Sequence, residues 1–308
     1  MYWALLAGIG ACTNAGYYIV NKKFLRTIDP DILAASGFLC SAALLLGISV
    51  GNGIPPLGPL FFPAVCITAA INILATLLTF RALSSTDISL AIPMISFTPI
   101  FLVGTAALIL HEAPSALGIA GIVTIVAGSY VLNTAAEHTR ITDPFRAMIG
   151  HPGVLAMLVV AFLYAVAINF DKMGVQNSDP VFGAGITMLL IGLAFVPIAL
   201  YRRARNRQKI SQVTAGNPAA RSVLLVPFRL KEAALAGILI AILITLEAIT
   251  INTAYTEQIA PYVITIKRMS IILIVLYGTL VFHETGLVRR LSGAGIMVLG
   301  VILILLFP

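Results

Sequence analysis

Charge is what this chain has least of. Only 10% of its 308 residues are Asp, Glu, Lys or Arg, against about 25% in an ordinary soluble domain, while 59% are hydrophobic. A water-soluble globule is excluded, and a polytopic membrane protein is what remains. Cysteine is nearly as scarce. Cys12, Cys40 and Cys66 all fall in apolar stretches, which excludes a disulfide framework and a metal site and predicts buried, inert thiols. Neither His111-Glu112 nor His283-Glu284 is followed by a second His at the spacing that puts two imidazoles on one helix face, and His138 and His151 lie elsewhere. No metal is expected. There is also no glycine-rich phosphate loop with its lysine, and no cluster of His, Asp or Glu near one interface of the kind a membrane-embedded enzyme needs. The chain therefore reads as a non-enzyme without a cofactor. A scaffold or receptor should carry a sizeable soluble domain or a partner-helix motif, and neither is present. The net charge of +7 invites a nucleic-acid reading. The basic residues, however, sit in loops between apolar runs, where membrane topology accounts for them and nucleic acid does not.

What is there is a succession of apolar windows long enough to cross a bilayer, punctuated by Gly, Pro and charge. They predict ten transmembrane helices, near residues 2–21, 31–50, 61–81, 87–110, 115–133, 153–171, 180–201, 233–254, 259–282 and 288–307. The first begins almost at Tyr2 with no basic leader, so it is expected to be a helix of the protein and not a cleaved signal. The domains follow: 1–133 as one five-helix repeat, 134–152 as a polar linker and 153–308 as a second repeat, with 202–232 as a basic polar loop.

The two halves share residues at fixed displacements. Asn21-Lys22 and Asp29-Pro30 return 150 positions later as Asp171-Lys172 and Asp179-Pro180. His111-Glu112 returns 172 positions later as His283-Glu284, and Gly121 and Gly128 return at the same displacement as Gly293 and Gly300. This is an internal duplication. Because each half has an odd number of spans, the second copy crosses the membrane in the opposite sense, so the fold expected is an all-α membrane protein of two inverted five-helix repeats. Glycines seven apart lie nearly on one face and predict close packing of the fifth and tenth helices. Glu112 and Glu284 are expected to have a structural role at helix ends. Counting bases by side puts Lys22, Lys23, Arg26, Arg81, Arg140, Arg146, the Arg202 to Lys231 cluster, Arg289 and Arg290 together and only Lys172 opposite. By the positive-inside rule the crowded side is cytoplasmic and both termini are outside.

The ninth window, Pro261 to Glu284, carries Lys267 and Arg268 side by side. A charge at mid-membrane costs at least about 2.5 to 3.5 kcal/mol, so each needs a partner, a cavity or a ligand. Glu247 lies ten residues before Glu257 and Lys267 ten residues after it, so a helical hairpin sets the two at similar depth. Three readings stay open for this trio: a pair that braces two helices, a site where Arg268 or Lys267 binds a carboxylate or phosphate with Glu247 as counter-ion or proton carrier, and a break in the helix. Asn14 in the first helix and Tyr164 and Asn169 in the sixth are candidates for lining a cavity or for bonding helix to helix. Tyr17 and Tyr18 are alternatively interface anchors. Ser96 and Thr98, flanked by Pro93 and Pro99, mark either a discontinuous helix at a binding site or a packing kink. Asn72 and Thr76, one turn apart, can face the same cavity.

The paired repeats, each with a fourth helix running into His-Glu and then a Gly-spaced helix (LILHEAPSALGIAGIVTIVAGSYVL and LVFHETGLVRRLSGAGIMVLGVILIL), resemble the EamA-type members of the drug/metabolite transporter superfamily. The resemblance implies a ten-helix carrier in the cell (inner) membrane with a central cavity between helices 1, 3, 4, 6, 8 and 9, working by alternating access. It also implies both termini in the cytoplasm, opposite to the charge count. Sugar-phosphate translocators of the superfamily are similar in using a Lys-Arg pair in the ninth helix for anions. Small cationic-drug antiporters instead rely on a first-helix glutamate, which this chain lacks. The expected function is secondary transport of a small organic metabolite, anionic or zwitterionic, with protons as a candidate coupling ion. Export of amino acids or neutral solutes, with the trio purely structural, is the alternative.

Overall fold

The computed structural model describes residues 1–25, 28–85, 92–133, 152–213, 230–282 and 287–307. Among them every regular element is helical. The helices are α1 (Tyr2–Phe24), α2 (Pro30–Asn52), α3 (Phe61–Ser85), a 3₁₀ segment (Ile92–Phe97) leading into α4 (Thr98–Ile109), α5 (Ala116–Asn133), α6 (Pro152–Gln176), α7 (Phe182–Val213), α8 (Leu230–Glu257), α9 (Ala260–Lys267), α10 (Ser270–Phe282) and α11 (Leu287–Leu306). With the 3₁₀ segment joined to α4 and α9 to α10, they correspond one to one with the ten expected windows. Seven spans are long and apolar enough to cross a membrane, and three shorter apolar helices, Pro93–Ile109, Ala116–Leu132 and Arg290–Leu306, complete the set. The linker 134–152, apart from Pro152, lies outside the described residues, as do His283-Glu284. Much of the expected loop 202–232 is helix, because α7 continues to Val213 before residues 214–229 leave the described set.

The repeated motifs have local physical causes. Asp-Pro starts a helix: Pro30 opens α2, and Asp179 Oδ1 accepts hydrogen bonds from the free amides of Val181 and Phe182 at 2.7 and 2.6 Å at the head of α7. His-Glu ends one. His111 takes a left-handed conformation (φ 57°) and the Glu112 amide donates back to Ala106 O at 3.2 Å, a turn that closes α4 and re-aims the chain.

Packing runs between the halves. The most extensive contacts are α5 with α11, α2 with α7, α3 with α6, and α1 with α8. Exchanging the two halves maps this set onto itself, as an inverted duplication requires. The α5–α11 crossing shows why the glycines recur. A Cβ at Gly121 would stand 2.9 Å from Gly300 O, one at Gly300 2.7 Å from Gly121 O, and Gly128 and Gly293 oppose each other in the same way at 2.7 and 2.9 Å. Backbone touches backbone there, so any side chain forces the helices apart. Gly128→Leu and Gly293→Leu should each destabilise the protein by about 1–3 kcal/mol or more, read as a lowered unfolding midpoint in detergent, whereas Gly104→Leu, with open space around it, should not.

The cysteines depart from expectation. Cys12 and Cys66 are exposed and Cys40 is half-buried. In a bilayer the outer face of a bundle is itself apolar, so an apolar position does not imply an interior one.

Candidate functional site

The eighth and ninth segments form the expected hairpin, α8 ending at Glu257 and α9 starting at Ala260. At its mid-depth Lys267 Nζ pairs with Glu247 Oε1. From α1, Asn14 Nδ2 donates to both oxygens of Glu247 at 3.1 Å. Glu247 is thus held by an ammonium and by the NH₂ of an amide, both donating to it. Three elements meet on this carboxylate.

Arg268 is placed differently. It caps α9 at a true break, where the Met269 amide bonds Ile266 O and the Ile272 amide bonds Met269 O in tight 3₁₀ fashion before α10 begins. Its Nε is buried without a hydrogen-bond partner, and no side-chain hydrogen bond or ion pair reaches Arg268 among the described residues. It stands within electrostatic range of Tyr18, Tyr164 and Glu247. Its guanidinium carries five donors and no acceptor.

The break has a counterpart. In the first half, the 3₁₀ segment gives way to α4 at Thr98, and in the second, α10 begins at Ser270, the same 172-residue displacement that relates the glycines. Pro99 occupies the first turn of α4, where its missing N–H is harmless, so the proline cluster sets a discontinuity and not a simple kink. The Lys-Arg pair takes that place in the other repeat.

The remaining sequence candidates divide. Tyr164 lies against Thr76 and Thr79 of α3 and faces Tyr18 and Arg268. Tyr17 and Tyr18 meet edge to face at 5.3 Å, and Tyr17 is within electrostatic range of Tyr164 and Glu247, so it points inward. Asn72 Nδ2 donates to Thr68 O at 2.9 Å and to Thr68 Oγ1 at 3.2 Å. Ser96 is buried, with its hydroxyl 3.0 Å from that of Ser129 of α5. Asn169 is fully buried, its Nδ2 donating to Thr105 Oγ1 of α4 at 2.9 Å and Ala165 O at 2.8 Å. Among the described residues no group of His, Cys, Asp or Glu is disposed to hold a metal.

Two features escaped sequence reasoning. Asp171 accepts a 2.6 Å hydrogen bond from Thr68 Oγ1 and feels the charge of Lys267. Its neighbour Lys172 is buried and pairs with Glu112 at 2.5 Å while donating to Gln258 O at 2.6 Å, and Glu112 Oε2 accepts from the Ala260 amide at 2.8 Å. Glu112 thereby ties the end of α4 to α6 and to the α8–α9 turn. The recurrence of a polar residue before Lys22 and Lys172 was the only signal available.

The family model for the EamA-like transporter family matches residues 1–134 and again 151–306. The chain belongs to that family. A double match to one model accords with the pairing of helices across the halves. EamA-like proteins are transporters, and this one is an integral, multi-pass membrane protein by the apolar spans described above. A crystal structure of a protein superimposes with a TM-score of 0.74, covering 99% of this chain and 97% of the other at 14% identity, a likeness of fold alone. No curated protein matches the sequence.

Proposed function

We propose that this EamA-like chain is a secondary transporter that moves a small organic metabolite, anionic or zwitterionic, by alternating access through a central cavity of the cell (inner) membrane. Arg268 and Lys267 are the anion ligands and Glu247 is the counter-ion that holds Lys267 when the cavity is empty. The observation that carries this reading is the buried, unpartnered Nε of Arg268 at a helix break. A cation kept at such depth without a protein partner is costly, and an incoming carboxylate or phosphate removes that cost. The start of α10 beside it adds the positive end of a half-helix. Asn14 orients Glu247, and Tyr164, with Asn72 beyond it, supplies hydroxyl and amide groups to the cavity wall. Asn169 and Ser96, which bond neighbouring helices, shape that wall without touching cargo.

A second reading is favoured by one observation: the Asn14–Glu247–Lys267 group is satisfied within itself and joins three helices. In it the trio is a brace and the cargo is an amino acid or neutral solute. Uptake by proteoliposomes from a panel of labelled anionic, zwitterionic and cationic metabolites separates the two. The anion reading expects uptake of anions or zwitterions that falls about 10-fold or more in Lys267→Ala, one charge-assisted contact being worth about 1.5–3 kcal/mol. Uptake of cations alone, or anion uptake indifferent to Lys267, would overturn it.

A further inference from the structure

Asp171 is the second carboxylate near Lys267, and its surroundings differ in kind from those of Glu247. It makes no ion pair among the described residues. Its partner is the hydroxyl of Thr68, a fully buried residue of α3. That hydroxyl also lies 3.3 Å from Ala167 O. The groups around it can be enumerated by element. From α9 it faces Lys267, and from α8 it faces Tyr255. From α3 Thr68 donates to it, and Asn72 Nδ2 lies 3.2 Å from that same hydroxyl oxygen. The described residues of α4 and of the 3₁₀ segment include no titratable side chain, and those of α7 lie at its far end, from Tyr201 onward. On α6 itself, Lys172 is engaged by Glu112.

We infer that Asp171 is the proton-binding site of this chain, taking up a proton from water as an anion binds at Lys267 and Arg268 and releasing it as the anion leaves; the coupling, though not the site, rests on the anion reading above. Two arguments converge. The first concerns hydrogen-bond direction. Around Glu247 both partners donate, so a protonated Glu247 is accommodated only if the Asn14 amide turns over to offer its Oδ1 and the pair with Lys267 weakens. Thr68 has no such restriction. Its hydroxyl donates to the Asp171 carboxylate, or turns to Ala167 O and accepts from the Asp171 carboxylic acid. Both protonation states are accommodated with no movement of the backbone.

The second argument is charge balance. Lys267 and Arg268 against Glu247 and Asp171 sum to zero. A monovalent anion entering this cluster makes it net negative in a poorly polarisable interior, where an uncompensated charge is costly. One proton on Asp171 restores neutrality, and the pair then crosses without moving net charge. The stoichiometry is one proton for each monovalent anion carried.

The test uses the full chain in liposomes and the proton as the only ligand. Infrared difference spectra taken while the pH is stepped down should show the carbonyl stretch of a newly protonated carboxylic acid. The band should vanish in Asp171→Asn and persist in Glu247→Gln. Thr68→Val, close in shape but unable to donate to the carboxylate, should keep the band and raise its midpoint by about one pH unit, since the charged form loses its hydrogen bond. A band that survives Asp171→Asn, or one that disappears in Glu247→Gln, overturns the assignment. Should Asp171→Asn fail to fold, an unmoved midpoint in Thr68→Val does so instead. Because no anion is added, the two readings fail separately. An Asp171 band in a protein that moves no anion leaves the proton site standing and removes the anion cargo, whereas anion uptake with no Asp171 band does the reverse.

Discussion

Arg268→Ala should abolish uptake of the transported anion while leaving the protein as stable as wild type, or more so. The two halves of that expectation come from one observation. Because the buried Nε has no partner among the described residues, the fold gains no hydrogen bond from it and bears its desolvation. Truncation removes that burden. The same truncation deletes the donors offered to cargo, and two charge-assisted bonds at about 1.5–3 kcal/mol each imply at least a 100-fold loss of uptake at low substrate concentration. Arg268→Lys should recover only part of this, because a point charge cannot reproduce a planar two-donor fork. Proteoliposome uptake beside thermal unfolding in detergent measures both. A variant that transports normally yet melts earlier would assign Arg268 to bracing.

Lys172→Ala should be the most destabilising single change among the charged residues described. The Lys172 side chain is 4% exposed and Glu112 13%, and the ammonium also satisfies the carbonyl that ends α8. Removing it strands a buried carboxylate and an unpaired Gln258 carbonyl, for about 3–5 kcal/mol. Glu112→Ala should cost a similar amount. It also frees the amide at the head of α9. The double variant should lose clearly less than the sum of the two, since neither charge is then left alone. Equilibrium unfolding of the three variants in mixed micelles supplies the cycle. Additive losses would mean that the two side chains act independently.

Much of this architecture is legible in the sequence because the bilayer imposes it. Every span must be helical and of a minimum length, so apolar windows translate directly into helices. The α5–α11 crossing was legible for a related reason: glycines repeated at one displacement leave little choice of what faces what. The trio Glu247, Lys267 and Arg268 was visible because charge is rare there, and symmetric counting from Glu257 gave the depth at which two of them meet. Residues whose meaning depends on which neighbour they touch were not legible. Ser96 stands among helix breakers, yet it faces Ser129. For Asn169 the sequence left cavity lining and helix-to-helix bonding open, and it is fully buried with its amide on Thr105 of α4. Asp171 lies 96 positions from Lys267 in a chain where only the folded bundle brings α6 beside α9, and nothing local distinguishes it from a helix-end acid. The lipid-facing cysteines failed for the complementary reason, that hydropathy does not tell the inside of a bundle from its outside.

The matched discontinuities at Thr98 and Ser270 have a consequence for energetics along the membrane normal. Beyond them run half-helices of 12 and 13 residues, each about 18–20 Å long. Neither can reach across a hydrocarbon core of about 30 Å, but from a break near the midplane each covers the roughly 15 Å to one surface. Inversion points one toward each surface. A particle resting between the breaks therefore has nearly equal distances to travel to either aqueous phase, and the membrane voltage divides almost evenly between the two exits. Under the alternating-access reading proposed above, such a carrier would have no built-in uphill direction. Which way cargo flows is then decided by the gradients on the two sides and not by the protein.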